Sequence, residues 1–465
     1  MLSFQSTSRC GRREFLRVGS LGLGGLSLSH GLGAGFGQPL FGDIALSRVL
    51  KDRSVIFLFL HGGPSQTETF DPKMTAPTEI QSVTGEIKTA LPGITFGSSF
   101  PRLAKLADKF SVVRSFQTGD GNHDIKPIVS RHSINANLGS LYARIAGTTS
   151  ATGMPNNVAI FPRAIDPNAQ PAVKQFGDFA ASGTLGSAYA PFVLGGGGLY
   201  DDMKLNLAPD RLEDRRQLIR ELDNAKRLFD SDRRESLGRI RNQAFETILG
   251  GVSKAFDWTQ EDASTIERYN TAPLMRPEQI NRKWNNYNNY VDNAQTLGKL
   301  LLLSRRLCES GCGFVTVTTN FVWDMHADIN NATMHEGMQY MGGPLDYALS
   351  AFIEDVEARG LRDKILFVAC GEMGRTPKLN DRGGRDHWGR IAPLLVYGGG
   401  LKMGQVVGES TKDAGEPASH PYRIENLIAT IMHSQADVGR LRLLPNLPTD
   451  LLRVATSSEP ISELI

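Results

Sequence analysis

The chain has 465 residues, more than one ordinary domain requires, and it carries 51 Lys and Arg against 49 Asp and Glu. A net charge of +2 argues against a nucleic-acid-binding protein, because phosphate binding requires clustered positive charge. With 40% hydrophobic residues and four Cys, the chain is neither globally disordered nor a disulfide-stapled mini-protein.

The N-terminus has the pattern of an export signal rather than of a folded domain. Arg12 and Arg13 form a basic pair, and a mildly apolar stretch rich in Gly and Ser follows over 18–28. This order is typical of twin-arginine signals, although a basic N-terminus before a Gly-rich linker is an alternative. We predict a twin-arginine signal peptide over 1–42, a mature domain over 43–465, and a periplasmic or other extracytoplasmic location. No run of 18 uninterrupted apolar residues occurs, so no stable membrane span is expected.

Apolar runs along the mature part predict buried β-strands, because strands covered on both faces are nearly continuous in hydrophobic residues. These runs cover 54–60, 111–116, 314–319, 365–370 and 393–397. Helical patterns lie between them at 102–109, 347–359 and 423–433. The alternation predicts an α/β fold with a mostly parallel central sheet and helices on both faces. Residues 209–309 are charged and helical in pattern, which predicts a helical insert or cap within this domain.

Functional residues of open parallel sheets gather at the carboxyl ends of the strands. Four predicted strand ends carry His, Asp or Glu beside Gly, in the segments HGGPS at 61–65, TGDGNHD at 118–124, WDMH at 323–326 and GEMGRTP at 371–377. A further loop, GGRDHWG at 383–389, combines Gly, Arg, Asp, His and Trp, a composition typical of functional sites.

The later segments offer metal ligands. Asp324 and His326 are two residues apart, so an extended backbone would place both side chains on one face, where they suit zinc, manganese or iron. Glu372 directly follows a strand and is a further candidate ligand. His387 is expected to be a ligand or an acid–base group, and Asp386 a ligand or the partner that fixes its imidazole. Surface positions or turn caps are the ordinary alternatives for each.

The earlier segments offer a histidine, a nucleophile and an anion-binding turn. His61 lies where the first strand ends, and the glycines after it leave backbone amides free to face an anion. Ser65 is a candidate nucleophile, although a GGPS turn is also a common connector. Arg375 is expected to hold an anionic group or to orient Glu372.

The ordered motifs resemble a known family. FLHGGPSQTETFDPK, VVRS, WDMH, GEMGRTP, GGRDHW and YGGGLKMGQVVGES follow the twin-arginine pattern in this order over about residues 45–450. This order resembles the family catalogued as domain of unknown function 1501, which is similar to the alkaline phosphatase and sulfatase superfamily. The resemblance implies an alkaline phosphatase-like three-layer sandwich and metal-dependent ester hydrolysis.

The same resemblance suggests roles for individual residues. Glu372 matches a carboxylate ligand that ends a late strand, Asp324 with His326 matches an Asp–His metal pair, and His387 matches a distant His ligand. The first strand ends in His61, where the superfamily has an Asp ligand. Neither the Cys/Ser-x-Pro-x-Arg signature nor an Asp-Ser-Ala motif is present, so a formylglycine sulfatase is not expected.

The resemblance also indicates a position for the nucleophile. The alignment implied by the resemblance places 118–124 at the nucleophile position. Thr118 and Ser65 are then the hydroxyl candidates, and His123 is expected to be a ligand or a base.

Three hypotheses for function follow. The first is an exported hydrolase of phosphate or sulfate esters that uses a divalent metal, zinc or manganese, with calcium as a further candidate. Its substrate would be an anionic small molecule or a glycan ester, held by Arg375 or Arg385, and its export partner the twin-arginine machinery. The second is a non-catalytic envelope protein that binds an anionic glycan or a partner through 209–309. The third is a metal-dependent isomerase or mutase on the same scaffold.

Overall fold

The computed structural model describes residues 49–194, 252–444 and 447–465. The predicted signal peptide and residues 209–251 of the predicted insert lie outside the described residues. The boundaries of both therefore stay predictions.

The strands are β1 Ser54–Phe59, β2 Glu86–Lys88, β3 Thr95–Gly97, β4 Phe110–Val113, β5 Phe116–Gln117, β6 Asn157–Ile160, β7 Phe192–Leu194, β8 Phe314–Thr318, β9 Ile365–Cys370, β10 Gly374–Arg375, β11 His387–Trp388, β12 Leu394–Gly398, β13 Gln405–Val407 and β14 Tyr422–Arg423. Eight of them form the sheet at the centre of the described chain, in the order β13-β4-β12-β9-β1-β8-β6-β7. Within this sheet β12 runs antiparallel to both of its neighbours, and the other pairs are parallel. The predicted α/β class with a mostly parallel sheet is confirmed.

Helices cover both faces of the sheet. They are α1 Pro101–Lys105, α2 Leu138–Ala146, α3 Val252–Ala255, α4 Ala263–Arg268, α5 Tyr287–Glu309, α6 Met334–Ala358, α7 Ile424–Gln435, α8 Val438–Leu441 and α9 Thr449–Thr456. No helix in the described ranges has both the length and the apolar character that crossing a membrane requires.

Side-chain alternation along β1 builds two hydrophobic layers. Ile56 and Leu58 belong to the layer that packs on α1, α5 and α6, whereas Val55, Phe57 and Phe59 belong to the layer under α2, α7 and α9. Successive residues of a strand point to opposite faces, so an unbroken apolar run fits a strand covered on both sides. Residues 287–309 of the predicted insert form α5, which packs directly on the sheet and on α6.

The element boundaries differ from the predicted ones in several respects. The strand predicted over 111–116 is divided into β4 and β5, and the helix predicted over 102–109 ends at Lys105. The short strands β6, β7 and β13 of the central sheet were not predicted, because three or four residues leave too little pattern to recognise. The helix predicted over 347–359 begins much earlier, at Met334, and continues through Pro344. A proline inside a helix removes one backbone hydrogen bond, a cost that here accompanies burial of most of the helix against the core.

The sheet order decides where the candidate residues meet. Strands β9, β1 and β8 are adjacent and parallel, so the loops that follow them leave the sheet at one edge. These loops carry the predicted residues His61, Asp324 with His326, and Glu372. Strand β4 runs in the same direction and leads to 118–124 at that edge.

Candidate metal centre

Three side chains from three separate segments of the chain meet at the carboxyl edge of the sheet. They are His123, Asp324 and His387, and one ligand atom of each lies within 4.8 Å of the others. Nε2 of His123 is 3.0 Å from Nε2 of His387, and Oδ1 of Asp324 is 3.2 Å from the latter nitrogen. The same oxygen lies 3.6 Å from Nε2 of His123. Two imidazole nitrogens and one carboxylate oxygen that face one another are a donor set suited to a divalent cation.

Close backbone packing holds the loop that carries Asp324. The amides of Val322 and Trp323 both donate to the carbonyl of His61. Gly62 has a φ of +110°, and a Cβ at that position would lie 2.5 Å from the amide nitrogen of Asp324. Glycine is therefore required for the loop after β1 to lie against the loop after β8.

Hydrogen bonds to both of its oxygens fix the Asp324 carboxylate. Nη2 of Arg375 donates to Oδ1 at 2.6 Å. Oδ2 lies 3.0 Å from Nε2 of His326 and accepts a hydrogen bond from Asn331 at 3.0 Å. Burial alone would raise the pKa of Asp324, but Arg375, His326 and His387 hold this pKa well below its usual range. The carboxylate is therefore ionised. Asn331 was not predicted, since a lone Asn in a loop seven residues after Asp324 carries no recognisable signal.

Glu372 contacts His123 on the side of the ring away from the cluster. The carboxylate is fully buried, accepts the Gly62 amide at 3.0 Å and lies 2.8 Å from Nδ1 of His123. Burial raises the pKa of Glu372 to about 7 and lowers the pKa of His123 to about 3. With its proton on Nδ1, the ring donates to Glu372 and keeps a lone pair on Nε2 for a cation.

The two arginines expected to hold an anion are instead committed inside the protein. Arg375 is fully buried, and its guanidinium donates to the carbonyls of Gly62, Gly63 and Arg385 besides Asp324. Arg385 is also fully buried and pairs with Glu68 at 2.9 Å. Arg375 therefore positions Asp324, and neither arginine has an exposed face for a substrate.

His61 lies next to the cluster without joining it. Its ring is only 1% exposed and lies 5.0–6.0 Å from four phenylalanine rings. These are Phe59, Phe176, Phe179 and Phe321. Neither ring nitrogen has a hydrogen-bond partner among the described residues, and burial lowers the pKa of His61 to about 4. This ring is therefore neutral, in an aromatic surrounding.

Three other predicted residues are not brought to the ligand atoms. Ser65 Oγ accepts the Glu68 amide, and Thr118 is buried with its hydroxyl unpartnered in the described part of the chain. Asp386 is 55% exposed and accepts a hydrogen bond from Asn380 at 3.0 Å. It points away from the cluster because β11 begins at the next residue, His387, and neighbouring residues in extended backbone face opposite sides.

The cluster opens to solvent on one side. The side chain of His387 is 37% exposed, that of His326 21%, that of His123 12% and that of Asp324 4%. A substrate would therefore approach from the side of His387 and His326, whereas the opposite side is closed by the phenylalanine rings around His123.

Three solved structures illustrate what the chain is similar to. The phosphonate monoester hydrolase SpPMH from Silicibacter pomeroyi aligns at 12% identity over 82% of this chain and 73% of that chain, with a TM-score of 0.35. The PsFucS1 sulfatase from Pseudoalteromonas sp. aligns at 11% over 90% and 74%, with a TM-score of 0.34. The lipoteichoic acid synthase LtaP from Listeria monocytogenes aligns at 9% over 96% and 79%, with a TM-score of 0.32. Similarity at this level does not establish a shared activity.

A family model gives the stronger result. No curated protein sequence matches the chain. The model of the family described as "Protein of unknown function (DUF1501)" matches residues 52–465, a range that contains all three residues of the cluster. The chain therefore belongs to this family, as the order of its motifs predicted.

Proposed function

We propose that this protein is an exported metal-dependent hydrolase of phosphate or sulfate esters. The observation that carries the proposal is the convergence of His123, Asp324 and His387 at a partly open edge of the sheet. Three protein ligands with a solvent-facing side are typical of catalytic metal sites, whereas structural sites are closed by four ligands. A cation bound there would polarise an ester oxygen and lower the pKa of water.

The donor set favours zinc or manganese over calcium. Two of the three ligand atoms are imidazole nitrogens, and calcium prefers a shell of six to eight oxygens. Binding of a cation by this donor set also depends on protonation, because an imidazole must be neutral to be a ligand. Burial lowers the pKa of His123 and therefore keeps its ring neutral at the pH of most environments.

The attacking group in this proposal is water. Ser65 uses its hydroxyl oxygen to accept the Glu68 amide, and within the described ranges neither Ser65 nor Thr118 donates a hydrogen bond to a cluster ligand. His123, Asp324 and His387 bind the cation, Glu372 orients His123, and Arg375 with Asn331 holds Asp324. The substrate enters from the His387 side.

The extracytoplasmic location is part of the proposal and depends on the sequence alone. Arg12 and Arg13 followed by a mildly apolar Gly- and Ser-rich stretch support export of the folded protein by the twin-arginine machinery. An anionic ester outside the cytoplasm, carried by a small molecule or by a glycan, would then be the substrate.

A metal analysis combined with an ester panel tests the proposal. The mature chain is purified, its metal content is measured, and phosphate and sulfate esters of 4-nitrophenol are assayed with and without added Zn²⁺ or Mn²⁺. We expect turnover that His387→Ala abolishes and that His335→Ala leaves unchanged, since His335 is exposed and contacts Gln339. A folded protein that takes up no metal would contradict the proposal.

One observation favours the second hypothesis, a non-catalytic envelope protein that binds an anionic glycan or a partner. In the described part of the chain no hydroxyl nucleophile contacts the cluster, so binding without covalent chemistry is compatible with the site. Metal binding without turnover of any ester would support this hypothesis.

Product analysis separates the third hypothesis, a metal-dependent isomerase or mutase, from the proposed hydrolase. Such an enzyme would return a rearranged ester rather than an alcohol.

A further inference from the structure

The donor atoms around the cluster fall into two groups. His123 Nε2, Asp324 Oδ1 and His387 Nε2 face one another, as a shared cation requires. The second oxygen of Asp324 is already engaged by His326 and Asn331. The number of cations that the site can take therefore depends on Glu372 and on the buried charges nearby.

Ring geometry removes Glu372 from the ligands of a cation bound to His123. The carboxylate lies 2.8 Å from Nδ1, and the two nitrogens of an imidazole point to opposite sides of the ring. With a metal–nitrogen distance of about 2.1 Å at Nε2, a carboxylate oxygen at Nδ1 would be about 6 Å from the metal. The amide of Gly62 holds both oxygens in this place, at 3.0 and 3.2 Å.

The guanidinium of Arg375 is a permanent cation beside the carboxylate of Asp324, which also faces His123 and His387. Its Nη2 is 2.6 Å from Asp324 Oδ1, and the side chain is fully buried. A guanidinium does not lose its proton in proteins. Three further hydrogen bonds, to the carbonyls of Gly62, Gly63 and Arg385, hold the guanidinium in this position, where a second metal ion would have to displace it.

We infer that the site takes a single divalent cation on His123, Asp324 and His387, that Glu372 holds His123 from outside, and that Arg375 supplies the second positive charge. The inference rests on the proposed function only in requiring a cation. Asp324 contributes one negative charge and Arg375 one positive charge. A second divalent cation would therefore lie close to a buried guanidinium that keeps its positive charge, with Asp324 as the carboxylate shared between them.

Metal stoichiometry tests the inference directly. The metal-free mature chain is titrated with Zn²⁺ by calorimetry, and the loaded protein is analysed for metal content after removal of excess ion. We expect one equivalent per chain. Two equivalents per chain would overturn the inference while leaving the proposed function intact.

Two variants test the position of Glu372. Glu372→Gln keeps an acceptor for the His123 Nδ1–H and changes no ligand atom, so we expect one equivalent, bound about 10- to 100-fold more weakly. In the Co²⁺-loaded form its visible absorption bands should stay at the wild-type wavelengths. His387→Ala removes a ligand atom and should shift these bands or abolish binding.

Each remaining outcome has a distinct meaning. A shifted Co²⁺ spectrum in Glu372→Gln, or a loss of metal as severe as in His387→Ala, would make Glu372 a ligand and overturn the inference. A wild-type chain that binds no Zn²⁺ or Co²⁺ would refute both this inference and the proposed function. One bound equivalent without any ester turnover would refute only the proposed function.

Discussion

Replacing Arg375 by Met should destabilise the protein strongly. The substitution removes the guanidinium that pairs with Asp324 at 2.6 Å and leaves the carboxylate buried without its main cation. Breaking a buried ion pair by removing one partner costs roughly 3–5 kcal/mol. The carbonyls of Gly62 and Gly63 also lose a donor, and each unsatisfied buried group adds about 1–3 kcal/mol unless water reaches it. We expect a loss of at least about 4 kcal/mol in the free energy of unfolding.

The pH dependence of that loss gives a second, independent check. In the wild type, the pKa of Asp324 is held below its usual range, so its contribution to stability is present above pH 4 and is lost as the pH falls further. The difference between wild type and Arg375→Met should therefore be largest near neutral pH. It should shrink as the pH falls, because Asp324 without its guanidinium partner takes up a proton at a higher pH than the wild-type carboxyl does.

Urea unfolding of the metal-free proteins, followed by circular dichroism from pH 3 to 8, measures both effects. Arg390→Met is the matched control, because this arginine is 61% exposed and pairs with a Glu416 that is 51% exposed. Exposed pairs contribute about 0–1 kcal/mol. An Arg375→Met protein within about 1 kcal/mol of the control at neutral pH would refute the reasoning about the buried pair.

Three further predictions concern the turn after β1, a buried acid and the metal. Gly62→Ala should weaken Zn²⁺ binding in a calorimetric titration, since its Cβ would lie 2.5 Å from the amide nitrogen of Asp324. Gly85→Ala is the control, because Gly85 also has a positive φ of +81° but a Cβ there would meet no atom within 4 Å, so this change should cost only backbone strain. Equal metal affinities of the two variants would contradict the prediction. Burial raises the pKa of Asp346 to about 6, so the wild type should lose about 2 kcal/mol of stability relative to Asp346→Asn as the pH rises from 4 to 7, and parallel urea midpoints would disprove it. A protein held at a free metal concentration of 100 Kd should lose about 2.7 kcal/mol in the free energy of unfolding when a chelator removes the metal. An unchanged melting temperature after chelation would show that no metal stabilises the native state.

The sequence indicated where the candidate residues meet, because these residues follow strands that are parallel neighbours in the sheet. His61, Asp324 and Glu372 all follow predicted strands, and the sheet order brings their loops to one edge. The pairing of Glu372 with His123 could not be predicted, because it joins residues 249 positions apart and depends on how two loops pack.

Burial explains the remaining differences. An arginine in a GRTP turn has the composition of an anion-binding residue, but Arg375 is fully buried and uses its donors on backbone carbonyls. Asp386 and His387 are equally good ligands by residue type. Their backbone is extended there, so only one of the two can face the cluster, and the residue pattern does not decide which one does.

The wide spacing of the three ligands along the chain has a consequence for folding. His123 and His387 are 264 residues apart, and Asp324 lies 63 residues before His387. Contacts between such distant positions form late, because closing long loops costs entropy that only the assembled sheet repays. An unfolded or half-folded chain therefore offers isolated histidines with weak affinity for a cation. Tight metal uptake would report that the whole sheet is complete, which makes bound metal a measure of folding quality in each preparation.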